Sequence, residues 1–248
     1  MRNKRWNKHS HLGQAMVEMI VIMFVTLLIL FSLIHFGFIY NAKTVLNYAT
    51  HEAARSGSLN YGSPQSMNYA LARVLAALES SPSGSNHMGR YQQSQGRANE
   101  LVKNDKFVCT QRISPDSNSD HWRPDPSAGS ISSSALPYTN FIPNDHLVYR
   151  SAQPKGGVSI QDANLLKIRV TYCHKIITPI IGLTIKRLML QEFADNDPDP
   201  IDNWVVPTRG AFTKFCLEND RIPIESQAII RMQTPIRNYK FSSASDCS

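Results

Sequence analysis

The longest apolar pattern in the chain lies near its N-terminus. From Met19 to Tyr40 there is no Asp, Glu, Lys or Arg, a run of about 22 residues. A helix needs about 20 apolar residues to cross the hydrocarbon core of a bilayer. A secretory signal peptide has a shorter apolar core followed by a small-x-small cleavage site, and neither feature is present. The pattern therefore predicts a single membrane-spanning helix.

The apolar periodicity continues beyond the span in a helical form. Residues recur at three- and four-residue steps on one face: Ala42, Val45, Leu46, Ala49 and Ala53. This spacing predicts one continuous helix from about Ala15 to Arg55, about 60 Å long at 1.5 Å per residue, with Gly57 as its stop. The second half of the helix is expected to carry a soluble domain, and a plain juxtamembrane stalk is the alternative.

A second helix is predicted directly after the first. Ser63 is a candidate N-cap, and Pro64 suits the first helical position. One face of the segment is apolar: Met67, Leu71, Val74, Leu75 and Leu78. Such a face is typical of core packing rather than of a ligand groove. A weaker helix is predicted from Arg97 to Lys103.

Alternating patterns predict strands in the C-terminal half. The segment "KFVCTQRI" is one, and in "LLKIRVTYC" the side chains of Ile168, Val170 and Tyr172 share one face. The segment "IPIESQAIIRMQ" alternates in the same way. Residues 114–146 are rich in Ser, Pro, Asn and Asp, which predicts a long surface loop or a partly disordered insertion. The expected fold class is α+β, with a small antiparallel sheet packed on the long N-terminal helix.

The charges around the span predict its orientation. The first thirteen residues contain four basic residues and no acidic residue: Arg2, Lys4, Arg5 and Lys8. Short basic flanks stay in the cytoplasm, so the rest of the chain is expected on the other side of the membrane. The same four residues supply more than half of the net charge of +7. The remaining sequence has no basic stripe with interleaved aromatic residues, so no nucleic acid is expected as a partner.

The four cysteines are Cys109, Cys173, Cys216 and Cys247. None belongs to a CxxC pair, which excludes a zinc knuckle and a thioredoxin-type motif. An even number of cysteines in an oxidising compartment favours two disulfides, with one disulfide or free thiols as alternatives. Three pairings are possible, and the sequence does not choose among them.

One acidic segment is a candidate calcium site. "DNDPDPIDN" offers four alternating carboxylates, and Ca²⁺ takes six to eight oxygen ligands: Asp195, Asp197, Asp199 and Asp202. A solvated acidic loop is the favoured alternative, because the prolines stiffen the segment and the glycine of an EF-hand is missing. The histidines lack metal-ligand spacing, and the common catalytic motifs are absent. We therefore predict no other cofactor, no catalytic residue and no enzymatic activity.

The residues before the span resemble the signal of type IV prepilins. A basic leader is followed by Gly13, four residues, Glu18 and a long apolar run. In that family a membrane-bound prepilin peptidase cuts after the glycine, which here places the cut between Gly13 and Gln14. A carboxylate at mid-helix in lipid costs about 2.5–3.5 kcal/mol. The resemblance implies that Glu18 pairs with the new N-terminal amine of its own or a neighbouring subunit and sets the register of helix stacking. The alternative is a plain signal anchor whose Glu18 snorkels to the interface.

The segment that follows resembles TadE-like minor pseudopilins of the tight-adherence (Flp) pilus system. That family shows Phe-Gly at the end of the span, then an aromatic residue, then an alanine pair followed by arginine, a small residue and glycine. Here the matching residues are Val17, Phe36-Gly37, Tyr40 and Ala53-Ala54-Arg55-Ser56-Gly57. The resemblance covers about residues 10–62. It implies a pilin-like fold, a place in the bacterial inner membrane or in the pilus, and a periplasmic C-terminal domain.

The expected division of the chain follows from this resemblance. It comprises a prepilin leader (1–13), a transmembrane helix (14–41), a periplasmic helical region (42–105) and a sheet-containing soluble domain (106–248) with a flexible loop at about 114–146. The implied function is that of a minor pseudopilin in assembly of a type IV-like, tight-adherence pilus, a cell-adhesion structure. The implied partners are the prepilin peptidase, other pilins or pseudopilins, the inner-membrane assembly platform and the lipid bilayer. Two alternatives remain: an unprocessed envelope protein that acts as a binding module or adhesin, and a pseudopilin of type II secretion.

Overall fold

The computed structural model describes residues 12–79, 86–103, 107–124, 140–176, 187, 211–241 and 247. The helices are α1 (Leu12–Leu59), α2 (Pro64–Leu75), α3 (His87–Val102), α4 (Ile160–Ala163) and α5 (Ala211–Glu218), with a 3₁₀ turn at Leu147–Tyr149. The strands are β1 (Val108–Ser114), β2 (Arg123–Pro124), β3 (Asn140–Ile142), β4 (Leu165–Lys175), β5 (Arg221–Arg231) and β6 (Ile236–Arg237). A long N-terminal helix, further helices and antiparallel strands confirm the predicted α+β class.

The first helix is continuous from the apolar run into the folded domain. It contains 48 residues and is therefore about 70 Å long, somewhat longer than predicted at both ends. The buried residues along it include His35, Ala42, Leu46, Ala49 and Ala53, and Ile39 packs against the core. Alanines dominate among these residues because small side chains let α2 and the sheet approach the helix closely.

The prediction that Gly57 stops this helix is wrong. Gly57 lies inside α1, and a Cβ atom there would lie 2.8 Å from Sδ of Met67 and 3.0 Å from a methyl group of Leu166. Its lack of a side chain therefore serves close packing. The helix ends where Tyr61 (φ 57°) and Gly62 (φ 75°) enter the left-handed region, which glycine adopts at least cost.

Replacing Gly57 by alanine is expected to lower the free energy of unfolding by about 1–3 kcal/mol, because the added methyl group overpacks the contact with Met67 and Leu166. Gly96→Ala in α3 is the matched control. A Cβ atom at Gly96 meets nothing within 4 Å, and alanine favours a helix interior by about 0.5–1 kcal/mol. Denaturant unfolding in detergent measures the free energy of unfolding of both variants and of the wild type. Equal stability of Gly57→Ala and the wild type would contradict the tight packing of α1 on α2 and β4.

The main sheet is antiparallel with strand order β1-β4-β5. Strands β4 and β5 pair along their full lengths, from Leu165 opposite Arg231 to Lys175 opposite Arg221. The predicted buried face of β4 is confirmed, since Ile168, Val170 and Tyr172 are buried. Two predictions need correction. The weak helix at 97–103 is the end of the longer α3. The predicted loop 114–146 contains β2 and β3, which form a second small sheet with β6 in the order β2-β3-β6. Residues 125–139 lie outside the described part of the chain.

One main apolar core joins these elements in the described part of the chain. It contains side chains from α1, α2, α3 and both long strands, among them Leu46, Leu71, Leu101, Ile168 and Ile224. The predicted helical region and the predicted sheet domain therefore share one core. The second half of α1 is an integral part of that core, which excludes the stalk alternative.

Candidate membrane anchor and its junction with the folded domain

The first half of α1 has the properties of a membrane span. One helix in the described part of the chain is long and apolar enough to cross a membrane, and only 6% of its most apolar window is buried inside the protein. A core helix of a soluble protein would have most of this surface covered. The exposed side chains include Ile20, Phe24, Leu30 and Leu33. Such a surface is stable against lipid or against other apolar helices.

The hydroxyl groups within this half are satisfied by the helix itself. Thr26 Oγ1 donates to the carbonyl of Ile22, and Ser32 Oγ donates to the carbonyl of Leu28, each at 2.8 Å. Lipid offers no hydrogen-bond partner, so a hydroxyl group in a span must find one locally. Both hydroxyl groups are therefore compatible with a lipid environment.

The residues of the predicted processing site lie on the first turns of α1. Gly13 and Gln14 are helical in backbone, and Glu18 is exposed further along the same helix. Positions 14 and 18 are four residues apart and therefore lie on one face of the helix. Among the residues that the structure describes, Glu18 makes no ion pair. An amine created at Gln14 would lie within reach of this carboxylate.

Hydrogen bonds connect the second half of α1 to the sheet. Lys43 Nζ donates to the carbonyl of Glu225, and Ser226 Oγ donates to Oδ1 of Asn47 at 2.9 Å. Near the end of the helix, the backbone N–H of Gln233 donates to the carbonyl of Ser58 at 3.1 Å. Strand β5 therefore runs beside α1 in the same direction. These contacts hold the helix and the sheet in one register.

A cluster of titratable groups lies where the sheet meets the apolar half of α1. Tyr172 donates its hydroxyl hydrogen to Oε1 of Glu79 at 3.1 Å, and burial together with the Glu79 carboxylate raises the pKa of Tyr172. His174 is also buried. Burial lowers the pKa of His174; Glu79 opposes this effect, while His35 and Arg221 add to it. His174 is therefore held neutral at pH 7.

Acidification is expected to destabilise the folded domain through His174. Because its pKa is lower in the folded than in the unfolded chain, the unfolded chain binds more protons just below the ordinary histidine pKa of about 6.5. Stability should thus fall as the pH decreases from 7 to 5. Thermal unfolding at several pH values measures the effect. The melting temperature of His174→Phe should depend less steeply on pH than that of the wild type. His51→Gln, at an exposed position, should keep the wild-type slope. The same slope in His174→Phe and the wild type would contradict this assignment.

The structure contains two disulfides, Cys109–Cys247 and Cys173–Cys216, with Cα atoms 5.5 and 5.4 Å apart. The prediction of two disulfides is confirmed, and the fold selects one of the three pairings. The first ties β1 to the C-terminus, and the second ties β4 to α5. With Phe212 and Phe107, the four cysteines form a small apolar cluster beside the main core.

The candidate calcium ligands lie outside the described residues: Asp195, Asp197, Asp199 and Asp202. Both interpretations of this segment, the favoured solvated acidic loop and the alternative calcium site, therefore stay predictions. In the described ranges, no group of three or more His, Cys, Asp or Glu side chains is placed to hold a metal ion.

His35 and the junction that it forms were not predicted from the pattern of the sequence. His35 is 2% exposed although it lies inside the charge-free run. The sequence does contain a signal for the burial of His35: apart from Tyr40, it is the only titratable side chain between Met19 and Tyr40. A polar ring within a span is costly unless protein covers it, so its presence indicates contact with another part of the chain.

Residues 13–55 match the family model described as TadE-like protein. The match begins at Gly13, includes Glu18 and the whole apolar run, and ends four residues before the end of α1. The resemblance expected from the sequence is confirmed over this segment. No curated protein and no solved structure matches the chain.

Proposed function

We propose that this protein is a minor pseudopilin that takes part in assembly of a tight-adherence, type IV-like pilus. The observation that carries the proposal is the TadE-like match over residues 13–55, which begins at the glycine of the predicted processing site. The exposed apolar surface of α1 supports it, because a subunit of this kind must pack its helix first in lipid and then against other helices. The proposed role is structural and uses no catalytic residue of this chain.

Processing is the first step of the proposed role. A prepilin peptidase cuts between Gly13 and Gln14 at the cytoplasmic face and removes the basic leader. The new amine then lies one helical turn from Glu18 on the same face of α1. Pairing of this amine with Glu18, within one subunit or between two, neutralises both charges at the edge of the lipid and thus fixes the axial register of the packed helices.

The proposed topology places the leader in the cytoplasm and the folded domain in the periplasm of a bacterium, with α1 crossing the inner membrane once. The basic leader supports this orientation. The two disulfides support an oxidising compartment for the folded domain. The proposed partners are other pilins or pseudopilins and the inner-membrane assembly platform.

Intact mass measurement of the membrane-extracted protein tests the proposal. The expected N-terminus is Gln14, and a Gly13→Val variant should retain the leader because the added side chain obstructs the narrow peptidase site. A wild-type chain that still begins at Met1 in a host with an active prepilin peptidase would overturn the proposal. That result would favour the unprocessed envelope protein, a binding module or adhesin. A processed chain that co-purifies with type II secretion components instead of pilus components would favour the secretion pseudopilin.

A further inference from the structure

The main sheet extends alongside the apolar part of α1. Glu225 contacts Lys43, and β5 continues backwards from Glu225 to Arg221. Four strand residues span about 13 Å, which corresponds to about nine residues of helix at 1.5 Å each. Because β5 runs beside α1 in the same direction, its Arg221 end lies near the level of helix residues 34–35.

Two further observations place the sheet end at the same level. His174 is paired with Ile222 in the β4–β5 ladder, and it interacts electrostatically with His35. His35 is almost completely covered, and Ile39 packs against the core. The folded domain therefore contacts α1 about 7 Å inside the charge-free run, counted from Tyr40 at 1.5 Å per residue.

The end of the sheet carries a surface with the composition of a membrane interface. Helix α5 is fixed there by the Cys173–Cys216 disulfide. Phe215 on α5 is 36% exposed and lies 5.5 Å from Phe107 between ring centroids. Lys175 and Lys214 at this end are exposed, and so are the acidic residues Glu218 and Asp220. Aromatic rings and long cationic side chains are enriched at the headgroup level, where one part of the side chain is apolar and the other is hydrated.

We infer that this end of the domain, formed by Lys175, α5 and Arg221, rests in the phospholipid headgroup layer and places Phe215 at the acyl boundary. The inference rests on the proposed membrane span of α1. It sets the outer boundary of the hydrocarbon at about His35. The hydrocarbon core, about 30 Å thick, then extends back about 20 residues, and Glu18 lies about 4 Å inside its cytoplasmic edge. An unpaired carboxylate at this depth is costly, so pairing with the amine at Gln14 would stabilise Glu18.

Tryptophan fluorescence in lipid nanodiscs tests the inference on the full-length chain. The native tryptophans, Trp6, Trp122 and Trp204, are first replaced by phenylalanine. Single tryptophans are then introduced by Phe215→Trp, by Phe31→Trp within the span, and by Val148→Trp. Val148 is 87% exposed and lies at the opposite end of the sheet, where Gln161 of α4 binds the carbonyl of Leu147 at 3.0 Å. Lipids with quenchers at shallow and deep acyl positions report the depth of each tryptophan.

The expected result is strong quenching of the Phe215→Trp probe by shallow quenchers, of Phe31→Trp by deep quenchers, and none for Val148→Trp. If Phe31→Trp is quenched but Phe215→Trp behaves like Val148→Trp, the inference is overturned while the span stands. If Phe31→Trp is not quenched, the proposed span itself fails.

A second measurement needs no substitution and applies if the tryptophan-free protein does not fold. Wild-type protein is irradiated in nanodiscs that contain a lipid with a diazirine near its headgroup, and the modified peptides are identified by mass spectrometry. Adducts are expected on residues 211–221 and absent from residues 147–164. Adducts in the apolar run of α1 with none on residues 211–221 would overturn the inference but not the span.

Discussion

Replacing Glu18 by alanine is expected to leave the leader cleavable and to abolish incorporation of the protein into pilus assembly complexes. In the proposed function, the substitution removes the partner of the new amine at Gln14, which would then remain charged at the edge of the hydrocarbon. An unpaired charge costs about 2.5–3.5 kcal/mol at the centre of a span and less at its edge, so the expected loss is up to about 100-fold in an association equilibrium. The measurement is the fraction of processed protein recovered in cross-linked complexes with other pilus subunits.

Two further substitutions separate charge from size at this position. Glu18→Gln keeps the side-chain volume and should fail like Glu18→Ala, whereas Glu18→Asp keeps the charge and should retain part of the assembly. Intact mass should show cleavage before Gln14 in all three variants. Wild-type assembly by Glu18→Ala would contradict the pairing and would leave Glu18 as a carboxylate that snorkels to the interface.

Removing the Cys173–Cys216 disulfide by the double substitution Cys173→Ser, Cys216→Ser is expected to lower the free energy of unfolding by about 2–4 kcal/mol. The bond closes a segment of 43 residues, and the restriction that it places on the unfolded chain grows with the logarithm of this length. Both sulfur atoms are also fully buried, so the serine hydroxyls would enter an apolar cluster with a further desolvation cost. Denaturant unfolding of the full-length protein in detergent measures the difference.

The other disulfide provides the matched comparison. Cys109–Cys247 has a separation of 138 residues, so Cys109→Ser, Cys247→Ser should lower the free energy of unfolding by at least as much. Peptide mapping without reduction should recover both linked pairs from the wild type. If neither double variant is less stable than the wild type, the proposed stabilisation of the domain by disulfides is wrong.

The Cys173–Cys216 bond also stabilises the surface formed by Lys175, α5 and Arg221, which we infer to rest in the headgroup layer. Helix α5 has only eight residues, too few to be stable alone in water. Its position depends on the disulfide, on burial of Phe212 and Leu217, and on contacts with β5. Without the disulfide, Phe215 should lose its fixed position at the sheet end even where the rest of the core remains folded.

Several structural features were accessible from the sequence because their causes are local. The span follows from the length of a charge-free run, and α2 begins at Pro64 as predicted because proline suits the first turn of a helix. The alternation in β4 predicts its buried face because successive strand side chains point to opposite sides. By contrast, Gly57 has the local signature of a helix stop, yet a close contact with Met67 and Leu166 decides its role.

The sequence by itself determined that the chain has an apolar helix long enough for a bilayer, a TadE-like segment around it, and an α+β domain with cysteines available for disulfides. The tertiary structure decided which cysteines pair, that α1 is part of the domain core, and how far the sheet extends along the apolar half. The physical reason is the range of the interactions. Hydropathy and periodicity are patterns among neighbouring residues, whereas the packing of Ile39 against the core and the two disulfides join residues that are distant in sequence and adjacent only after folding.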